Sequence, residues 1–369
     1  MDILATLGAS FSWVFPVLVV LTILVFLHEL GHYTAARLNG VRVEVFSIGF
    51  GRELFGWTDR HKTRWKVSLI PLGGYVRMFG DADASSAVDF EKMKTLTPAE
   101  QQETLAGKNV WQRIAVVGAG PLANILVTVL CFWIVFIYTG EPRLDATVGQ
   151  MEVDAPAWAA GLRPQDKILK LDGEAIDDFQ HLRRIISKKV GVPVAVTYAR
   201  GSDQIDVTLT PIDRDGMGII GIMPYREPKT VWSAFTGAIV GTGLVAVQML
   251  QTFWNFIVGA EDSKRIGGLG SIAKLAKEAW SEGFFSLIGF MGLLSLNLGV
   301  LNLFPIPVLD GGHLLFYGIE VVRGRPVSEK IQDLAYKIGL YFLLAMMVYS
   351  HWNDLVRFKV FAWVASFFQ

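Results

Sequence analysis

The sequence predicts a polytopic α-helical membrane protein: four transmembrane helices, a membrane-associated β-hairpin or sheet, and one α+β domain outside the bilayer. Three observations predict it. Long uncharged runs dominate a chain whose 369 residues are 52% hydrophobic and 18% charged. Basic residues crowd between the first two of those runs. A polar stretch near mid-chain carries strand, helix and hairpin patterns over a domain-sized length. Charge balances at 34 basic and 34 acidic residues, which suggests no nucleic-acid partner. The single cysteine, Cys131, lies inside an apolar run and has no partner for an internal disulfide, so the redox compartment is left open.

The first run covers residues 3–27 and continues through 25-VFLHELGHYTAAR-37. Asp2 is the only early charge, so the positive start of a cleavable signal peptide is missing. The second run, 114–140, lies between Arg113 and Glu141, and the third, 283–309, between Glu282 and Asp310. The fourth, 338–353, is short and is expected to borrow 334-LAY-336. A span needs roughly 20 apolar residues, which the first three supply comfortably. A fifth run, 230–260, is interrupted by Gln248, Gln251 and Asn255. It is expected to lie along the interface, anchored by Trp232 and Trp254.

Segment 34–113 is dense in Arg and Lys, which marks the cytoplasmic side and puts the N-terminus and segment 141–282 outside. Within it, 41-VRVEVF-46 alternates, and 64-RWKVSLIPLGGYVRMFG-80 has strand composition with a turn at Gly73 and Gly74. Region 41–80 is therefore expected to be a small sheet close to the membrane, and 81–108 a surface loop with a short helix. Segment 141–225 reads as a soluble α+β domain: strand and turn over 165–176, amphipathic helix over 178–189, hairpin over 193–212 turning at Arg200 to Asp203. The expected organisation is thus a membrane core over 1–140, the soluble domain over 141–225, an interfacial linker over 226–282 and a second membrane core over 283–369.

The stretch 28-HELGH-32 is H-E-x-x-H. On a helix, residues four apart share a face, so His28 and His32 can address one ion while Glu29 takes a proton from water. Zinc suits nitrogen ligands and four-coordinate geometry. Two imidazoles and a carboxylate at membrane depth are costly unless something compensates them, and a divalent cation does. The alternative is a pair of structural histidines in a polar cluster. A catalytic zinc needs a third protein ligand. Asp310, in 302-NLFPIPVLDGGH-313, is the better candidate and His313 its rival. Asp310 arrives at the end of a long uncharged run, and Pro305 and Pro307 break regular helix just before it. A carboxylate merely facing water at a helix end is the bland reading of Asp310. To meet the histidines, the third span must run inward like the first, which again makes 230–260 non-spanning.

These residues resemble the site-2 protease family of intramembrane metalloproteases, most closely its RseP-type bacterial members. HELGH at 28–32, 120-GPLAN-124 and 302-NLFPIPVLDGG-312 match the family's motifs in order, over nearly the whole chain. The resemblance implies one catalytic Zn2+ held by His28, His32 and Asp310, with Glu29 as general base. It implies a substrate cleft lined by Asn302, Pro305, Pro307, Asn124, Gly73 and Gly74, where region 41–80 pairs with an unwound substrate strand. Segment 141–225 looks like a periplasmic PDZ domain; RseP-type members carry two in tandem, and this chain has room for one. The implied partners are the lipid bilayer, single-span membrane protein substrates such as anti-sigma factors or remnant signal peptides, and a peptide ligand of the PDZ domain. The implied place is the bacterial inner membrane, with the active site toward the cytoplasm. The alternative is a non-proteolytic metal-binding scaffold or a metal transporter with a PDZ receptor.

Overall fold

The computed structural model describes residues 3–81, 90–214, 216–259 and 267–358. The expected loop 81–108, linker 226–282 and C-terminal core 283–369 therefore each fall partly outside the described residues. The chain forms two compact units, one from Met1–Phe132 with Ala238–Gln369 and the other from Trp133–Gly237.

In chain order the elements begin with α1 (Ile3–Leu38), β1 (Val43–Thr58), β2 (Arg64–Met78), α2 (Phe90–Thr95), α3 (Pro98–Gln101) and α4 (Val110–Thr139). There follow β3 (Glu141–Pro142), β4 (Val148–Met151), α5 (Pro156–Ala159), β5 (Lys167–Leu171), β6 (Glu174–Ala175) and α6 (Phe179–Ile186). Next come β7 (Val194–Arg200), β8 (Asp203–Leu209), β9 (Ile212–Arg214), β10 (Met217–Ile219), β11 (Ile222–Pro224) and β12 (Arg226–Glu227). The chain closes with α7 (Val231–Ile257), α8 (Leu269–Glu282), α9 (Phe284–Asn302), α10 (Asp310–Arg323) and α11 (Glu329–Arg357).

Among the described residues, five helices are long and apolar enough to cross a membrane: Phe15–Leu38, Val110–Thr139, Val231–Phe256, Phe284–Asn302 and Glu329–Arg357. The sequence reading expects four. The fifth arises because Gln248, Gln251 and Asn255 are polar but uncharged, and α7 continues through all three. The last of the five begins at Glu329, earlier than the apolar run, so charged residues form its first turns.

In the first unit, two long bent strands make a sheet four strands deep. Phe46 pairs with Val76 on one side and Trp65 on the other, and Ser47 with Tyr75 and Lys66. Farther along, Trp57 pairs with Trp65 and Thr58 with Arg64. The order is thus 74–78, 43–48, 64–68, 53–58, with an interrupted register where the strands bend. One face packs Val43, Phe46, Val76 and Met78 into a core shared with Ala36 of α1 and Val116 and Val117 of α4. The outer part leaves Leu54, Phe55 and Leu69 about 60% exposed, an apolar surface. A second core joins Val20 and Leu24 of α1 to Leu294 of α9, with Ile272 of α8 packed on it. Arg113 at the start of α4 holds Glu320 of α10 through two hydrogen bonds of 3.1 and 2.5 Å.

The second unit contains a sheet of order β6-β5-β7-β8. Leu182 and Ile186 of α6 pack with Ile168, Val194 and Tyr198 of that sheet. Arg200 pairs with Asp203 across the hairpin turn, where the sequence pattern places it. Asp178 caps α6 by accepting from the His181 amide at 2.6 Å.

Candidate metal centre

The site is built on three helices. His28 and His32 lie one turn apart on α1, and α10 begins at Asp310, whose carboxylate therefore sits at a helix N-terminus. His28 Nε2 stands 3.3 Å from Asp310 Oδ2, His32 Nε2 stands 3.5 Å from Asp310 Oδ1, and the two Nε2 atoms are 3.2 Å apart. A tetrahedral zinc with bonds of about 2.0–2.1 Å spaces its ligands by roughly 3.3 Å. The two imidazole nitrogens stand at that spacing, and one ligand atom from each of His28, His32 and Asp310 lies within 4.8 Å of the others.

The protonation of the donors also calls for a cation. His32 Nδ1–H donates to the Val116 carbonyl at 3.0 Å, so in the neutral ring the lone pair lies on Nε2. That lone pair faces His28 Nε2 and a carboxylate, and Asp310 Oδ2 is buried without a hydrogen-bond donor. Acceptors gathered this tightly repel each other unless a proton or a metal ion lies between them. Among the described residues, His28, His32 and Asp310 form the one group of three His, Cys, Asp or Glu side chains spaced for an ion. The residues present therefore fit zinc.

Glu29 lines the same cavity, of about 420 Å³, together with Val76 of the edge strand 74–78. At Gly74 this strand lies against Val25 and Glu29 of α1. A side chain at Gly74 would press on Val25 and on the Ser47 carbonyl, so only glycine allows the approach. Gly73, Gly74, Asn124 and Asn302 all line the cavity. Pro305 and Pro307 do not; they shape the loop between α9 and α10, where the Ile306 amide bonds Phe304 and the Leu309 amide bonds Ile306. In that loop Val308 adopts φ 95°, strained for a β-branched residue. His313, the rival ligand, stands outside the ligand group and has the Tyr336 hydroxyl 3.0 Å from Nδ1.

Two contacts at the site carry no sequence signal of their own, the Val116 carbonyl and the Tyr336 hydroxyl. A third, Gly120, belongs to the GPLAN stretch. A Cβ there would collide with both imidazoles.

A family model described as Peptidase family M50 matches residues 16–346. A Rhizobium meliloti protein named as a candidate zinc metalloprotease is 39% identical over 354 residues, covering 92% of this chain and 95% of its own. A Mesorhizobium japonicum protein of the same description is 40% identical over 357 residues, covering 92% and 97%. The PDZ domain of an SdrC-like protein from Listeria innocua aligns with 29% identity and a TM-score of 0.21, covering 22% of this chain and 96% of its own.

Proposed function

The chain belongs to peptidase family M50, the site-2 proteases, and from that premise we propose that this zinc metalloprotease cuts peptide bonds within the membrane-spanning segments of single-span proteins. The observation that carries the reading is the convergence of His28, His32 and Asp310 beside Glu29, on helices of spanning length. Zinc, when bound, supplies Lewis acidity toward the scissile carbonyl and toward water. His28, His32 and Asp310 would hold it. Glu29 takes a proton from water and returns it to the leaving amine nitrogen.

The substrate has to arrive extended, because a helical peptide bond is shielded by its own hydrogen bonds. Strand 74–78 lines the cavity and offers backbone groups to such a segment, with Gly73 and Gly74 leaving room and Asn302 facing the same space. The apolar surface at Leu54, Phe55 and Leu69 suits contact with lipid.

α1 and α9 both deliver their C-terminal ends to the metal centre, so they run the same way across the bilayer. The chain between α4 and α9 then crosses an even number of times, and α7 does not carry it across for good. The density of basic residues over 34–113 supports a metal centre facing the cytoplasm of a bacterial inner membrane, with segment 141–225 periplasmic. Within that segment, a groove of about 700 Å³ runs between α6 and β11. The groove suits an extended peptide, in keeping with a PDZ role for 141–225 in regulated intramembrane proteolysis. Anti-sigma factors and remnant signal peptides are the fitting substrate class.

The test is cleavage of a single-span model substrate by the purified protein in detergent, with and without zinc. Zinc-dependent cleavage lost in Glu29→Gln, with zinc still bound, is the expected result. Turnover by Glu29→Gln would overturn the assignment, and zinc binding without cleavage by the native chain would favour a scaffold or transporter.

A further inference from the structure

Both imidazoles of the metal centre turn their second nitrogen toward one stripe of α4. Val116, Gly120 and Asn124 lie four residues apart on that helix, and all three are buried. The Val116 carbonyl accepts from His32 Nδ1 at 3.0 Å. The Asn124 carboxamide lies 3.2 Å from His28 Nδ1. Between them, Gly120 has no side chain, and a Cβ would meet the Cε1 and Nε2 atoms of His32 and Cε1 of His28. The stripe is thus a flat rest for two rings, with an oxygen at one end and an amide at the other.

The polarity of the second contact follows from which nitrogen of His28 must be free to hold an ion. Asn124 is fully buried, and its Oδ1 has no donor while its Nδ2 faces His28. The two ends of a carboxamide are isosteric, so the network decides which one faces the ring. With Nδ2 toward His28, the ring nitrogen Nδ1 has to be an acceptor. The proton then sits on Nε2, where a ligand needs its lone pair. With Oδ1 toward His28, Nδ1–H is the donor and Nε2 is freed for an ion, while the carboxamide nitrogen takes the position that Oδ1 held. The backbone of Asn124 is itself held: its carbonyl accepts from Ser295 Oγ of α9 and from Thr128 Oγ1, each at 2.9 Å.

We propose that Asn124 is a positioning residue of the metal centre, not a substrate contact: its Oδ1 accepts from His28 Nδ1–H, fixing the tautomer and the ring, as the Val116 carbonyl does for His32. This rests on the metal reading above. Losing such an outer partner typically weakens metal binding 10–100-fold.

The test measures zinc affinity of the purified full chain by chelator competition, alongside cleavage and the thermal melt of the zinc-free protein. Asn124→Leu keeps the volume and removes the acceptor, so zinc should bind about 10–100-fold more weakly. Asn124→Asp can only accept, and should bind zinc within a few-fold of the native chain. Asn124→Ala reports the same loss where leucine prevents folding. Native zinc affinity in Asn124→Leu or Asn124→Ala, with cleavage lost, would overturn the proposal and return Asn124 to the substrate cleft. Equal loss in Asn124→Asp and Asn124→Leu would overturn the polarity. His28→Ala is the control: if it kept zinc, the metal assignment itself would fail, whereas zinc lost there but kept in Asn124→Leu leaves that assignment standing.

Discussion

His32 Nε2 and Asp310 Oδ1 stand 3.5 Å apart, so a residue of the first helix and the first residue of α10 share one site. Asp310→Asn keeps the shape and removes the charge. It should weaken zinc binding by more than about 100-fold, beyond the range for an outer partner. Chelator competition measures it.

The same convergence makes zinc a clamp between α1 and α10. A ligand at about 1,000 times its Kd stabilises the folded state by roughly 4 kcal/mol. Stripping zinc should therefore lower the melting temperature. The shift should be lost in His28→Ala with Asp310→Asn, which has little affinity left to lose. Thermal melts with and without added zinc check both.

Gly120 and Gly118 give a paired prediction on one helix. Gly120→Ala drives a methyl into both imidazoles and should lower zinc affinity and activity together. Nothing lies within 4 Å of a Cβ at Gly118, so Gly118→Ala should leave zinc binding unchanged. Helix propensity should add up to about 1 kcal/mol there. Zinc titration and thermal melts of the two variants separate these outcomes.

Val308 reverses the usual order of alanine and glycine. Its φ of 95° is a conformation glycine adopts freely and alanine does not. Val308→Gly should therefore be more stable than Val308→Ala, by about 1 kcal/mol or more. Denaturation of both variants, at equal zinc, decides it.

The ion pair of Arg113 with Glu320 has its two side chains only 15% and 17% exposed. Glu320→Gln leaves a largely buried guanidinium without its counter-charge and should cost about 3–5 kcal/mol. Arg113→Met with Glu320→Leu should recover most of that loss. Double-mutant unfolding measurements give the coupling directly.

Much of the centre was legible because its chemistry follows helical spacing. His28 and His32 are four apart, and Asp310 sits where an uncharged run stops behind two prolines. The roles of the second rank were not legible. GPLAN marks Asn124, yet only three-dimensional contact shows that it faces His28. No pattern marks Val116, because it contributes a backbone carbonyl. The alternation over 41–46 and 64–80 announces strands but not their doubling into a sheet four deep. That depends on where β1 and β2 bend, and register between distant residues leaves no local trace. In α7, amides interrupt the apolar run on paper without interrupting the helix.

All three candidate ligands, together with Glu29, belong to the unit made of Met1–Phe132 and Ala238–Gln369; Trp133–Gly237 supplies none of them. The chain leaves the unit of the candidate ligands partway through α4 and re-enters it partway along α7, completing one compact unit in between. That middle passage can therefore change in length or sequence without altering the set of candidate ligands.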